Sequence, residues 1–233
     1  MENDAYSQLK KWFDDTRYEP LETMAGFFDK RVENYEEHMS QWSQHYKWMA
    51  KLLPDNTKCL LDIGCGTGLE LDCIFERFSD LQVTGVDISK QMLDRLRCKH
   101  SGKELSLICM DYFNYDMGEK RFDAVISFET LHHFEYGKKQ MLFKKIHRCL
   151  KPGGIYLECD YIALTQQIED LAFAECQRRR KRDGIPDDVF VHFDTPLTLE
   201  HEIQAVKSAG FSEVTLVGFL EHDDHTPIIR AIK

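Results

Sequence analysis

The chain has 233 residues, a length that suits one large domain or a core domain with a small cap. Its 40 Asp and Glu residues outnumber its 30 Lys and Arg residues, and the net charge of −10 argues against binding to nucleic acid phosphates, which needs a basic surface. Hydrophobic residues make up 42% of the chain, so it can bury a sizeable core and global disorder is excluded.

The first 50 residues are polar but rich in aromatic side chains. Phe28, Val32, Tyr35 and Met39 recur at spacings of three and four, which places them along one face of a helix. We therefore predict a helical N-terminal segment.

Short apolar runs that alternate with amphipathic stretches begin near residue 58. The apolar runs predict strands near 58–63, 82–87, 105–109, 122–127 and 153–159. The amphipathic stretches predict helices near 68–78, 89–99 and 138–150. Strands that alternate with helices over short connections are typical of a parallel sheet covered by helices on both faces.

This alternation stops after residue 160. Residues 161–183 predict one helix, and we interpret its basic end, 178–182, as a solvated face that complements the helix dipole rather than as an RNA site. Thr198 is placed to cap a further helix. The β-like runs 213–220 and 227–232 follow one another without a helix between them, which implies an antiparallel pair.

A glycine-rich loop is the sharpest feature of the sequence. The apolar strand 60–63 runs into Gly64, Gly66 and Gly68, and an amphipathic helix follows. Glycines let a ligand approach the backbone, and nucleotide-type ligands bind at such loops beyond the carboxyl end of a strand. Leu69 replaces the third glycine of the NAD-binding pattern, and the Gly-Lys-Ser/Thr of a P-loop is absent. A tight turn without a ligand stays the alternative.

Asp87 ends the next predicted strand, 19 positions beyond Gly68. This is close to the spacing at which an acid meets the ribose hydroxyls of a bound nucleoside. A carboxylate that accepts both hydroxyls forms charge-assisted hydrogen bonds and fixes the ribose. The alternative is that Asp87 caps the next helix, a role that Ser89 could fill as well.

Together these segments resemble the class I S-adenosylmethionine (SAM)-dependent methyltransferases. The similarity lies in residues 61–68, 86–89 with Met92, 109–112, 122–127, 131–134 and 150–154. It covers residues 55–160 well and 197–233 more loosely. The resemblance implies a Rossmann-like α/β fold with a seven-stranded sheet, in which only the last strand is antiparallel.

The resemblance also implies SAM as the cofactor and S-adenosylhomocysteine as its product. Asp62 would orient the glycine loop or receive the methionine ammonium, Asp87 would bind the ribose hydroxyls, and Asp111 would accept the adenine amino group. Core packing is the alternative for Met92 and Phe128, and turn stabilisation is the alternative for Asp111. The implied cofactor-binding residues are Asp62, Gly64, Cys65, Gly66, Gly68, Asp87, Ile88, Met92, Asp111, Tyr112 and Phe128.

Methyl transfer from a sulfonium is an in-line displacement, in which the protein mainly holds the nucleophile about 3 Å from the methyl carbon. A general base helps when the acceptor must lose a proton. His132 and His133 follow the fourth strand, next to where the methyl group would point, so they and Tyr35 are candidate catalytic residues. The alternative is that the paired histidines only shape their loop. We predict no metal site.

Residues 1–50 and an insertion after the fifth strand, 161–196, are expected to form a helical lid. Residues 51–160 and 197–233 would then form the Rossmann-like SAM-binding core. In the family that the sequence resembles, such additions cover the acceptor pocket, although packing of lid on core is the alternative for each aromatic. The lid residues expected at the pocket are Tyr35, His38, Tyr161, Phe190, His192 and Phe193.

These features predict a SAM-dependent methyltransferase that acts on a small-molecule acceptor through an oxygen, nitrogen or carbon atom. Residues 127–130 stand where methyltransferases of nucleic-acid amino groups and protein glutamine carry an Asn/Asp-Pro-Pro-Tyr/Phe motif. Methylation of RNA or protein stays an alternative, as does a SAM-binding regulatory protein without turnover.

No run approaches the roughly 20 apolar residues of a membrane span, and the N-terminus lacks the regions of a secretory signal. Eight scattered cysteines without a Cys-x-x-Cys pair indicate free thiols in a reducing compartment. We therefore expect a cytoplasmic monomer or homodimer without nucleic-acid or membrane partners.

Overall fold

A single sheet of seven strands organises the computed structural model, which describes residues 2–233. The sheet order is β3-β2-β1-β4-β5-β7-β6, and the pairs from β3 to β5 are parallel. Strand β7 runs antiparallel to both β5 and β6, so within the described residues it alone is reversed, as predicted. The strands are β1 (Cys59–Ile63), β2 (Gln82–Asp87), β3 (Leu105–Cys109), β4 (Phe122–Phe128), β5 (Leu150–Cys159), β6 (Glu213–Gly218) and β7 (Ile228–Ile232).

Eight α-helices accompany this sheet between residues 2 and 233. They are α1 (Glu2–Asp15), α2 (Met24–Met39), α3 (Ser43–Leu52), α4 (Leu69–Arg77), α5 (Lys90–Lys99), α6 (Tyr136–Cys149), α7 (Gln166–Asp183) and α8 (Leu199–Lys207). Thr198 caps α8 as predicted, because its Oγ1 accepts a hydrogen bond from the N–H of His201 at 3.4 Å.

Successive side chains of β1 enter opposite sides of the sheet, and each side holds its own hydrophobic core. Leu60 belongs to the core that α3, α4 and α5 cover, whereas Leu61 and Ile63 belong to the core beneath α6 and α8. A strand buried on both faces reads as a continuous apolar run, which is why the sequence pattern located β1 and its neighbours. Within the described chain, no helix has the length and apolarity to cross a bilayer.

Two predicted boundaries are wrong. The helix predicted over 161–183 begins only at Gln166, because the N–H groups of Ile162 and Ala163 donate to the carbonyls of His225 and Leu197 at 2.9 Å. Strand β5 begins at Leu150 rather than at 153, since its first residue already pairs with β4 ahead of a register shift.

The N-terminal segment and the insertion after β5 pack on each other. A third hydrophobic cluster joins Phe13 of α1 to Ala172 and Cys176 of α7 and to Phe193. Backbone hydrogen bonds from Met24 to Phe190 and from His192 to Glu22 tie the same two segments together. The lid and core division of the chain stays a prediction.

The basic run at the end of α7 is solvated only in part, since Arg178, Lys181 and Arg182 are exposed whereas Arg179 and Arg180 are not. Arg179 is buried and donates to Thr16 Oγ1 at 2.8 Å and to Glu175 Oε1 at 2.7 Å. Arg180 donates to the carbonyls of Pro186 and Val189, both at 2.9 Å. The interpretation of this run as solvated is therefore wrong for these two arginines, which hold neighbouring segments against α7.

Candidate functional site

The glycine loop after β1 is held against β2 and the loop after β4. The N–H groups of Gly64 and Cys65 both donate to the carbonyl of Val86, at 2.8 and 3.3 Å. Gly64 has φ of 70°, and a Cβ there would lie 2.2 Å from Oγ1 of Thr130. A side chain at Gly64 would therefore meet both backbone strain and a clash. Cys65 is buried in the core, away from the loop surface.

Asp87 connects the glycine loop to the start of α5. Its Oδ2 accepts from the N–H of Gly66 at 2.9 Å, and its Oδ1 accepts from the N–H of Ser89 at 2.7 Å. Ser89 itself caps α5 by accepting from the N–H of Met92 at 3.2 Å. Burial raises the pKa of Asp87. Asp87 thus stands at the loop where the ribose prediction requires it, and the ribose role stays a prediction.

Asp62, on β1 beneath the loop, is the clearest sign of a missing partner. Both of its carboxylate oxygens are buried without a hydrogen-bond partner among the described residues. Burial and the neighbouring Glu70 carboxylate raise the pKa of Asp62 well above its ordinary value. A buried acceptor without a partner is costly, so a ligand with N–H donors fits this position.

Eight of the eleven predicted cofactor residues line two small cavities at the carboxyl ends of the strands. One cavity, at the glycine loop, is lined by Gly64, Gly66, Asp87, Met92 and Phe128. The other is lined by Ile88, Asp111 and Tyr112. The structure therefore brings most of the predicted set together, whereas Asp62, Cys65 and Gly68 lie outside these two linings.

Asp111 already has partners within its own turn. Its Oδ1 accepts from the N–H of Phe113 at 2.8 Å, and its Oδ2 accepts from the side-chain amide of Asn114 at 2.9 Å. The turn-stabilising role is therefore observed. A carboxylate can accept further hydrogen bonds, so the adenine role stays a prediction.

A larger cavity of about 530 Å³ adjoins the glycine-loop cavity. The two cavities share Phe28, Tyr35 and Glu129 in their walls. The larger one is closed by side chains of α2, of the loop after β4 and of residues 192–194. Of the lid residues predicted at the pocket, Tyr35, His38 and His192 line it, whereas Tyr161, Phe190 and Phe193 do not.

His132, in the wall of this cavity, forms a buried pair with Asp160. Its Nδ1 lies 2.5 Å from Oδ1 of Asp160, whose Oδ2 accepts from the N–H of Leu131 at 2.6 Å. Burial lowers the pKa of His132, but the Asp160 carboxylate outweighs burial and raises that pKa to about 9. His132 is therefore an imidazolium at neutral pH, with Nδ1–H directed at Asp160 and Nε2–H facing Asp194 at 3.6 Å.

His133 is in the opposite state. Its Nδ1 lies 3.2 Å from the carbonyl of Phe193 and 3.2 Å from Oδ1 of Asp194, both of which accept, so Nδ1 carries the proton. Burial and the charge of His132 lower the pKa of His133. Of the two candidate catalytic histidines, only His133 is thus free to accept a proton at neutral pH. The catalytic roles of both histidines and of Tyr35 stay predictions.

Three acids of this region were missed by the sequence reasoning: Glu129, Asp160 and Asp194. The signal for Asp160 was its place directly after β5, beside the end of β4. The ring nitrogens and carboxylates of His132, His133 and Asp194 lie within 4.8 Å of one another, close enough to share a metal ion. The Nδ1–H groups of the two histidines already donate in the hydrogen bonds described above. The three side chains therefore form a hydrogen-bonded cluster. The prediction of no metal site stays a prediction.

Similarity to known proteins shows which family this chain belongs to. A family model described as a methyltransferase domain matches residues 60–154. The carboxy-S-adenosyl-L-methionine synthase of Campylobacter concisus is 30% identical over 183 residues, which cover 72% of this chain and 75% of that protein. The phosphoethanolamine N-methyltransferase of Plasmodium falciparum is 30% identical over 130 residues, 55% of this chain and 48% of that protein.

The chain belongs to the class I SAM-dependent methyltransferases. Human N-acetylserotonin methyltransferase in complex with SAM shares the fold, with a TM-score of 0.61 and 18% identity over 86% of this chain and 54% of that chain. The present methyltransferase is therefore an enzyme whose cofactor is SAM. Its residues fit that cofactor, because the buried Asp62 oxygens lack donors and the ammonium of the methionine part would offer them.

Proposed function

We propose that this methyltransferase transfers the methyl group of SAM to a small molecule bound in the cavity of about 530 Å³. The observation that carries this proposal is the shared wall of Phe28, Tyr35 and Glu129, which places the cavity directly beside the glycine loop. Its volume, and a lining that combines aromatic rings with polar and charged side chains, are typical of sites for small organic ligands. A concave cavity walled by α2 and residues 192–194 suits a metabolite.

Positioning is the main task left to the chain, because SAM supplies an activated methyl group when bound. We assign the methionine ammonium to Asp62, the ribose hydroxyls to Asp87 and the adenine amino group to Asp111. His133, neutral and in the cavity wall, would take a proton from an acceptor that must lose one. Asp160 would act as a positioning residue, since it fixes the ring of His132.

The test uses SAM with a tritium-labelled methyl group and a cell extract divided into metabolite, RNA and protein fractions. The purified full chain should transfer label to the metabolite fraction, and the Gly66→Val variant should transfer none. Label confined to RNA or protein would overturn the small-molecule assignment. SAM binding without transfer to any fraction would instead indicate a regulatory protein.

Carboxylation of SAM is a second candidate. It is favoured by the synthase of C. concisus, because the similarity extends over three quarters of that protein. Arg31, in the cavity wall, is a cation that could face an added carboxylate. Mass spectrometry of the cofactor after incubation with the metabolite fraction separates the two reactions. A synthase yields a SAM derivative heavier by one carbon dioxide, whereas a methyltransferase yields S-adenosylhomocysteine and a methylated metabolite.

A further inference from the structure

Glu129 holds an unusual backbone position at the junction of the two cavities. It follows β4 directly, and its N–H donates to the carbonyl of Cys159 at 2.9 Å. Its φ is 45°, in the left-handed region that residues other than glycine seldom adopt. Such strain is typical of functional sites, where the surrounding structure fixes the direction of a side chain. Here the side chain enters the wall between the glycine loop and the large cavity.

One oxygen of the Glu129 carboxylate lacks a hydrogen-bond partner, and the other has only a distant cation. Its Oε1 is buried with no hydrogen-bond partner in the part of the chain that the structure describes. Its Oε2 lies 4.0 Å from Nδ1 of His132, which is beyond hydrogen-bond distance. The side chain is only 12% exposed, so water does not replace the missing donor freely. Burial accordingly raises the pKa of Glu129 to about 8.

The cations that line the cavity are already engaged elsewhere. Both N–H groups of His132 are directed at other carboxylates, Asp160 at 2.5 Å and Asp194 at 3.6 Å. Arg31 pairs with Glu22 at 2.9 Å, and its guanidinium lies over the ring of Phe27. Of the cations that the structure describes, His132 comes within 4.0 Å of Glu129 but forms no hydrogen bond with it, so the carboxylate has no hydrogen-bonded cation.

Aromatic rings complete the surroundings of this acid. Phe28 and Tyr35 share the cavity wall with Glu129, and Trp42 lines the same cavity. The faces of such rings attract cations, and the attraction strengthens where water is excluded. An acid and several aromatic rings in one cavity form a site that suits an alkylammonium ion.

Resting on the proposed function, we infer that Glu129 binds the methyl acceptor as an ammonium ion. The acceptors are therefore primary or secondary amines that are methylated on nitrogen. As the ammonium binds, the Glu129 carboxyl group, which is protonated at neutral pH in the empty site, releases its own proton to solvent. The resulting carboxylate then accepts one proton from the ammonium and, for these acceptors, takes the role that we gave to His133. The freed nitrogen lone pair forms the bond to the methyl carbon. The carbon–sulfur bond breaks with its electron pair left on sulfur. The product is a methylated ammonium, and the proton on Glu129 returns to solvent.

Calorimetry on the full chain saturated with S-adenosylhomocysteine tests this site. The probes are 2-phenylethylamine and 2-phenylethanol, which have nearly the same shape but differ in charge. The amine should bind at least about tenfold more tightly than the alcohol, since only the amine forms a charge-assisted bond. Glu129→Gln should abolish this difference and leave the affinity for S-adenosylhomocysteine unchanged. Glu135→Gln, an exposed glutamate before α6, is the matched control and should keep the difference.

Several results would overturn the inference. The first is equal binding of the two probes to the unaltered protein. The second is a preference for the amine that persists in Glu129→Gln. The third is a loss of S-adenosylhomocysteine binding in that variant, which would make Glu129 a cofactor residue. If Glu129→Gln fails to fold, Glu129→Asp replaces it in the test. This variant keeps the negative charge and should keep part of the preference for the amine over the alcohol. A preference that is fully kept, or completely lost, in Glu129→Asp counts against the assignment.

The labelled metabolites of the earlier assay separate this inference from the proposed function. With ¹³C-methyl SAM, NMR spectra of the labelled products should show methyl groups on nitrogen. Methyl groups found only on oxygen or carbon would refute the amine assignment and leave the small-molecule function intact. The absence of any labelled metabolite would remove the small-molecule function and the amine assignment with it.

Discussion

Replacing Asp160 with Asn should make the stability of the protein depend on pH in a specific way. His132 has a folded-state pKa of about 9 against an ordinary value of 6.5, because the Asp160 carboxylate stabilises its imidazolium. A raised folded pKa contributes stability that is complete below the unfolded value and is lost as pH rises through the folded value. The window of change therefore lies between about pH 6.5 and pH 9.

The magnitude follows from the size of that shift. At about 1.4 kcal/mol per pKa unit, the shift of His132 corresponds to about 3 kcal/mol. The side chains of His132 and Asp160 are 9% and 3% exposed, so screening by solvent removes little of it. Asp160→Asn should therefore be less stable than the unaltered protein by about 3 kcal/mol near pH 6. The part of this difference that comes from His132 should disappear near pH 9.5, and only the pH-independent effect on the bond from the N–H of Leu131 should remain.

Urea unfolding at several pH values measures the difference in free energy of unfolding, and NMR of the histidine ring protons follows His132 directly. The control is Glu221→Gln, which alters the exposed pair of Glu221 with His222, whose atoms lie 3.6 Å apart. Its stability difference should stay nearly constant with pH, since exposed pairs contribute little. A difference for Asp160→Asn that stays constant, or that grows with pH, would refute the charged state assigned to His132.

Three further predictions concern the cofactor. Asp87→Ala should weaken SAM binding at least about tenfold, because a lost pair of charge-assisted hydrogen bonds costs on the order of 1.5–3 kcal/mol. If calorimetry on the folded variant shows unchanged affinity for SAM, the ribose assignment is contradicted. Gly66→Val should abolish binding, since a branched side chain would project toward Tyr35 where the ligand meets the loop, and normal binding there refutes the loop placement. The two small cavities hold only about 20 and 30 Å³, against about 300 Å³ or more for a ligand site, so we expect α2 to move when SAM binds. Amide exchange in residues 1–45 should then slow when S-adenosylhomocysteine is added, and unchanged exchange at saturation counts against the lid.

The sheet and its cofactor loop were predictable because their signals are local. The run that forms β1 is apolar at nearly every position, and Gly64, Gly66 and Gly68 follow it within a few residues. Asp87 ends a strand that the same pattern locates. Local patterns of this kind can be recognised in a single sequence, since each element is defined by residues that are close to one another along the chain.

The acids of the site escaped prediction because tertiary register decides where they meet. The parallel register of β4 and β5 places Phe128 opposite Cys159, so the residues that follow, Glu129 and Asp160, emerge at the same edge of the sheet. The left-handed φ of Glu129 directs its side chain into the cavity wall, and no local sequence pattern predicts that angle. Arg179 was misjudged for a related reason, since its partner Thr16 lies 163 residues earlier.

The same division explains why the sequence identifies the donor of the methyl group and leaves its recipient open. The residues that we assign to the cofactor come from the sheet and its loops, and the family model matches residues 60–154 of this region. The walls of the large cavity come mainly from α2, the loop after β4 and residues 192–194. The stacking of Phe27 on His192, with ring centroids 3.4 Å apart, joins the first and last of these segments outside the matched region. If the acceptor binds in the large cavity as we propose, its choice depends on segments that can change without disturbing the cofactor motifs, and Glu129 lies in the wall that the large cavity shares with the glycine-loop cavity.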